Sequence, residues 1–222
     1  MTLSPSWAVG SVGEESATAS LLRMSVLKSP ATVLAAFAVC LTAAPAHAAT
    51  DDHRDAARDV VSRSLYTDAP PKQPEPARRL GDIVKSSVSY GDDLVVTTRF
   101  RSLPATGHQE FSWFVLPSDG EDDGYWTASL VVEPGKDKGR LTLLDPIANQ
   151  PGCAKAVVDR AARTVTLTIP SSCLGDPAWV RVSNGVRIFL GPEANTREYS
   201  DDARRDGVVR DPWKYGPKVT RG

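Results

Sequence analysis

The chain is predicted to be an all-β protein, an antiparallel β-sandwich or jelly roll of about nine strands closed by one disulfide. Three observations predict this. From Gly81 onward, short runs rich in β-branched and aromatic residues follow one another without a long helical pattern among them. The segments between them, including GDD, LPATGHQE, SDGEDDG, PGKDKG and SCLGDP, are built from turn-forming residues. Two cysteines, Cys153 and Cys173, bracket one pair of the runs.

Residues 1–48 precede this pattern. Residues 24–48 have the layout of a secretory signal: a basic Lys28, an uncharged stretch from Val33 to Ala44, and the small-x-small cleavage site Ala46-His47-Ala48. The stretch is shorter than the ~20 apolar residues that span a bilayer, so no membrane insertion of the mature chain is expected. Residues 1–23 carry Glu14 and Glu15 and no basic residue before Arg23, which suits an upstream extension of the start site. The mature chain then begins at Ala49 and is destined for the extracellular space. Residues 49–80 are a polar, proline-rich arm, where the prolines between Pro70 and Pro76 forbid a regular helix or a central strand, although HRDAARDVVSRSLY could form a helical turn or a first edge strand starting at Asp59. Residues 81–222 hold the sandwich.

Within that domain the expected strands are IVKSSVSY, LVVTTRFR, FSWFVLP, YWTASLVVE, RLTLLD, KAVVD, RTVTLTIP, AWVRVS and VRIFL. In RTVTLTIP, Val165, Leu167 and Ile169 face one way and three threonines the other, the alternation of a half-buried strand. In LVVTTRFR the inward set is Leu94, Val96, Thr98 and Phe100. FSWFVL is apolar on both faces and reads as a central or covered strand. Asn184-Gly185 separates the last two runs. Both residues tolerate positive φ at low cost, so a type I′ hairpin is expected there, pairing Trp179 with Leu190 and Arg181 with Ile188. KAVVD and RTVTLTIP form a second hairpin whose open end a Cys153–Cys173 bond would close. Cys40 lies in the signal-like segment, so the mature chain keeps two cysteines, and an even count in an exported chain implies that bond.

The 26 basic and 27 acidic residues give a net charge of −1. No field of one sign exists to recruit nucleic acid or an anionic membrane. A monomer with an extracellular polymer or protein as partner is the expectation.

PSDGEDDGYW is the stretch richest in candidate chemistry. Asp119, Glu121 and Asp123 alternate before Gly124 and resemble the first half of an EF-hand loop. The twelfth position, which should be a bidentate Glu, is Leu130, and no helices flank the loop, so an EF-hand is excluded. Two readings stay open: a solvated acidic turn, or a non-helical calcium loop that draws further ligands from elsewhere, such as Asp201 and Asp202. Calcium is the one cofactor under consideration. A glycosidase pair would need two carboxylates across a cleft, and Asp122 and Gly124 interrupt the strand that would carry them. His53 and His108 are the only histidines of the mature chain, and no G-x-S-x-G elbow accompanies them. A catalytic triad or a zinc site is not expected. Tyr125, beside Thr127 and Ser129, and Trp179 are candidate ligand-binding aromatics. Trp113 and Trp126 sit among apolar neighbours and are expected in the core. The tail from Arg197 to Gly222 carries charges of both signs, with Arg204 or Arg205 expected to pair with nearby aspartates at the surface; Trp213 and Tyr215 would pack it onto the sandwich.

SSCLGDPAWVRV, RTVTLTIP and SDDARRDG resemble a recurrent set of secreted actinobacterial proteins. The resemblance implies a single β-sandwich domain with one disulfide and brings no activity or catalytic residues. GDIVKSSVSYGDDLVVTTRF is similar to an opening of sandwich modules that bind carbohydrate or haem, although a Met or His axial ligand for haem is hardly offered. The expectation is a non-catalytic binding module for carbohydrate or cell-envelope polymer. The alternatives are a protein-interaction or inhibitor domain using strand edges or the loops near Gly107 and Ala148, and a polysaccharide-active hydrolase using Asp119, Glu121 or Asp123.

Overall fold

A computed structural model describes residues 48–65, 72–118, 124–136, 138–192, 196–207 and 213–222. The signal-like segment and Asp119, Glu121 and Asp123 lie outside the described residues. In chain order the strands are β1 (Ala49–Arg54), β2 (Val61–Ser64), β3 (Gln73–Pro74), β4 (Ile83–Tyr90), β5 (Asp93–Phe100), β6 (His108–Pro117), β7 (Trp126–Val132), β8 (Arg140–Leu144), β9 (Lys155–Asp159), β10 (Thr164–Pro170), β11 (Trp179–Leu190), β12 (Arg197–Asp202) and β13 (Val219–Thr220). One 3₁₀ turn, Ser171–Leu174, follows β10. Every strand pairing is antiparallel.

The strands form two sheets, β1-β4-β5-β10-β9 and β3-β2-β12-β11-β6-β7-β8, with β13 also pairing with β11. Period-two alternation sends one side of each sheet into a shared core. Leu94, Val96, Phe100, Val165, Leu167 and Ile169 of the smaller sheet bury against Phe111, Trp113, Val115, Val182, Val186 and Ile188 of the larger. The Phe100 and Phe111 rings meet edge to face across the interface, their centroids 5.7 Å apart. The inward sets expected for β5 and β10 are those observed. β6 lies inside the larger sheet, and its outer face is covered in part by Trp213. Trp113 is buried, and Trp126 packs half-buried on the core.

The disulfide joins Cys153, just ahead of β9, to Cys173 in the 3₁₀ turn, with Cα atoms 6.4 Å apart. It closes the open end of the β9–β10 hairpin, as the cysteine positions imply.

The expected hairpin at Asn184-Gly185 does not form. β11 runs unbroken through both residues, so Trp179 pairs with Thr220 and Leu190 with Arg197, not with each other. Arg181 lies opposite Leu116, and Ile188 opposite Gln109 and Tyr199. The physical reason is what surrounds the pair. Asn184 is buried between the sheets, where its Oδ1 accepts from Ser86 Oγ and its Nδ2 donates to Thr98 Oγ1, both at 2.9 Å. On the opposite face Gly185 admits a close neighbour: a Cβ there would stand 2.5 Å from the Asp201 carbonyl oxygen and 2.7 Å from Trp213 Cζ3. Gly185 therefore serves a close approach between backbone and ring, and needs no positive φ.

Parts of the segments expected as an arm and a surface tail, Ala49–Arg54, Val61–Ser64, Gln73–Pro74, Arg197–Asp202 and Val219–Thr220, belong to the sheets. β1 pairs with β4 along its whole length, β2 pairs with β12, and the short edge strand β3 accommodates Pro74. Among the described residues the strands number thirteen against about nine expected, because the arm and tail contribute five, while two expected strands merge into β11. The tail charges are not superficial. Asp201, Asp202 and Arg204 are buried, and Arg204 pairs with Asp51 of β1. Arg205 does stay with Asp202, its Nε 3.5 Å from Oδ2.

Candidate functional site

Two places gather side chains with binding chemistry. The first is the outer face of the larger sheet. Alternation along β6 and β11 points Ser112, Phe114, Arg181 and Arg187 away from the core, and along β7 it does the same for Thr127 and Ser129. The residues after Pro212 fold onto this face. Trp213 lies over Gly185, edge to face with Phe114 at 5.8 Å, and the Arg187 guanidinium sits 5.5 Å from its ring. The chain then runs beside β11, with the Gly216 amide donating to the Val182 carbonyl at 2.8 Å and Arg181 Nε donating to the Gly216 carbonyl at 2.9 Å.

Beyond Trp213 the aromatics open to solvent. Tyr125 is 50% exposed and stacks edge to face on Phe114 at 5.6 Å. Tyr215, half-buried, lies under the Arg181 guanidinium, and burial followed by the nearby Tyr125 pushes its phenol above the usual range. Trp179 is on the same face. Phe114 is opposite Ser183, so Trp179 stands about 13 Å further along β11 at 3.3 Å per residue. The ammonium of Lys218 lies 3.8 Å from its ring centre and occupies one side of the indole. Tyr125 thus faces solvent with Phe114 and Tyr215 as neighbours, whereas Trp179 is engaged with its own tail.

The second place is a convergence of carboxylates. Asp55 and Asp59 sit on the connection that leaves β1 in the smaller sheet and enters β2 in the larger; Asp201 sits on β12. One oxygen from each lies within 4.8 Å of the others. Each side chain is anchored through a single oxygen by a backbone N–H: Ala56 to Asp55 Oδ1 at 3.0 Å, Gly207 to Asp59 Oδ2 at 3.2 Å, and Ile83 to Asp201 Oδ2 at 2.7 Å. The remaining oxygens, Asp55 Oδ2, Asp59 Oδ1 and Asp201 Oδ1, are buried without a hydrogen-bond partner. Asp201 is 1% exposed.

Burial is the largest cause of the raised affinity for protons at all three, and repulsion from nearby carboxylates adds to it: Asp59 on Asp55, Asp55 and Asp59 on Asp201, and Asp82 and Asp206 on Asp59. Asp55 is pushed up to about 8, Asp59 to about 6, and Asp201 well above the ordinary carboxylate range. The neighbouring Asp82 is instead held by the Arg58 amide and by Arg101 Nη1 at 3.0 Å. Asp202 accepts from the Arg204 and Lys214 amides. Asp55 also borders a polar surface cleft of about 760 Å³, which it shares with His53, Arg204, Arg205, Asp206 and Lys214.

Asp201 was named from the sequence as a further ligand for Asp119, Glu121 and Asp123, which lie outside the described residues. It lies opposite Val186, which in turn faces Phe111, six residues and roughly 20 Å along β6 from Pro117. Its companions Asp55 and Asp59 were missed because HRDAARD reads as one polar stretch, and nothing local in it points to a partner in the tail. His108 is partly exposed at the start of β6, against Phe189 and 3.2 Å from Glu133. His53 is on β1, and burial lowers its affinity for protons. Among the described residues no helix is long and apolar enough to cross a membrane. No family model, curated protein or solved structure matches the chain.

Proposed function

We propose that the chain is a secreted, non-catalytic binding module that takes a carbohydrate or cell-envelope polymer along the outer face of its larger sheet. The observation that carries the reading is the half-exposed Tyr125, held edge-on by Phe114 and flanked by Tyr215. Rigid aromatic side chains present an apolar plane with a polar rim at low entropic cost, which suits the apolar face of a sugar ring. Thr127 and Ser129, on the same side of β7, add hydroxyls that can both donate and accept. The disulfide and the signal-like segment support export.

A pull-down on purified cell wall and on a glycan series tests the reading. Retention of a polymer is expected, with Y125A weakening it about tenfold, equivalent to about 1.4 kcal/mol. Failure to retain any polymer, or equal retention by Y125A, refutes it.

One observation favours the protein-interaction reading instead. β8 and β9 are open sheet edges, and Val157 on β9 and Ile147 between the two strands are both largely exposed. Loss of a captured protein partner in V157D, with polymer binding absent, would select that reading.

A further inference from the structure

The carboxylate convergence beneath the β1–β2 crossover is independent of the aromatic face. We infer that Asp55, Asp59 and Asp201 are the protein ligands of a divalent-cation site, and that calcium is the ion it takes. Three oxygens within 4.8 Å of one another can all lie within about 2.8 Å of a common point, close to the 2.3–2.6 Å of calcium–oxygen bonds. Magnesium demands a tighter set at 2.0–2.1 Å. The donors are all carboxylate oxygens, which select a hard cation over zinc or copper.

Two features mark this as more than a group of acids. The anchoring amides of Ala56, Gly207 and Ile83 each hold one oxygen of a carboxylate and leave the other without a hydrogen bond, and outer hydrogen bonds of this kind orient ligands. Asp201 Oδ1, almost wholly buried, has no partner at all. A buried carboxylate oxygen in that state is costly unless a cation or a proton supplies the missing interaction. Among the described residues no basic side chain forms an ion pair with any of the three. Arg101 pairs with Asp82, Arg204 with Asp51 and Arg205 with Asp202, and Arg54 and Lys214 line the cleft that Asp55 borders. Asp82, Asp202, Asp206, His53 and Lys214 are further titratable groups around the cluster. The cleft bordered by Asp55 gives an ion and its remaining water ligands a route to solvent.

Bound calcium would fasten the crossover between the two sheets to β12. Arg54 and Arg58, both exposed on or beside that crossover, report on it as trypsin sites.

The test uses the full chain, stripped with EDTA and transferred to metal-free buffer at pH 7.5. Calorimetric titration with calcium chloride is expected to give one ion per chain. The melting midpoint should rise by several degrees in 1 mM calcium and by less in 1 mM magnesium, and cleavage at Arg54 and Arg58 should slow at least tenfold. D201N keeps an acceptor for the Ile83 amide and removes one charge. It should melt no lower than the parent in EDTA and lose the calcium response; D55N, at the cleft side, serves if D201N does not fold. The proposal is overturned by equal melts in calcium and EDTA, by a magnesium preference, or by unchanged binding in the Asn variant. The last result would place the ion at Asp119, Glu121 and Asp123. None of these outcomes depends on whether Tyr125 binds a polymer.

Discussion

Replacing Asn184 by alanine is the sharpest test of how the two sheets are joined. The side chain is 1% exposed and spans the sandwich, accepting from Ser86 on β4 and donating to Thr98 on β5, each at 2.9 Å. Losing two intramolecular hydrogen bonds removes about 1 kcal/mol each, and a buried hydroxyl left without a partner costs roughly a further 1–3 kcal/mol. Ser86 and Thr98 are directly opposed across β4 and β5, so their hydroxyls can turn toward each other and recover part of that loss. The net expectation is a destabilisation of about 2–4 kcal/mol, or roughly 5–15 °C in the melting midpoint for a domain of this length.

Urea unfolding should show the midpoint falling with little change in slope, since the surface exposed on unfolding stays the same. A double-mutant cycle with S86A then separates the contact from general disruption. N184A and S86A should couple by about 1 kcal/mol or more, the double variant being less damaged than the sum of the singles. A solvent-facing turn at Asn184-Gly185 predicts no coupling at all with a residue on β4. Coupling indistinguishable from zero, or a cost for N184A below about 0.5 kcal/mol, refutes the buried bridge.

The remaining expectations concern charge and cross-linking. In EDTA the folded chain holds protons on Asp55 (about 8) and Asp59 (about 6) more tightly than the unfolded chain does near 3.8. Stability contributed this way is complete below pH 4 and falls as pH rises toward 8, by up to about 1.4 kcal/mol per unit for each carboxylate still titrating. Urea midpoints should therefore drop between pH 6.5 and pH 8.5, and a rise over that interval contradicts the burial of Asp55. Replacing both Cys153 and Cys173 by serine frees a segment spanning 20 residues in sequence and should cost about 3 kcal/mol, read as a lower urea midpoint. An unchanged midpoint would mean that the bond does not constrain the unfolded chain.

Most of the sandwich was legible because its central strands carry their own pattern. β4 to β10 show alternation or two-faced apolarity that a single strand can display without reference to its partner. β1 and β12 were not legible for the same reason in reverse, and β2 was legible only as one option, an edge strand beginning near Asp59. Their sequences, ATDDHR, VSRS and REYSDD, are polar, and what makes them strands is pairing with β4, with each other and with β11. Asp55, Asp59 and Asp201 were unreadable as a group because that long-range pairing is what brings them together. Tyr125, by contrast, lay opposite in parity to a core tryptophan, and its exposure followed from that alone.

The Asn184-Gly185 error has a cause that was present in the sequence. Val180, Val182, Asn184, Val186 and Ile188 all share one parity, and an unbroken strand puts the four apolar members on a single inward face. A two-residue hairpin at 184–185 instead pairs Val182 with Arg187 and Arg181 with Ile188, giving two mixed faces. A local turn signal is worth little against a register that would move Val186 and Ile188 off the face shared with Val180 and Val182, since each buried aliphatic side chain contributes about 1.5–3 kcal/mol. The asparagine then meets the polar cost of lying on that face through Ser86 and Thr98, and the glycine makes room for Trp213 on the other side. Parity across the dipeptide, weighed before its turn propensity, distinguishes a polar bridge inside a strand from a hairpin. Here it also decides where the outer face begins, because Arg181, Trp213 and Tyr215 occupy it only if β11 runs straight through.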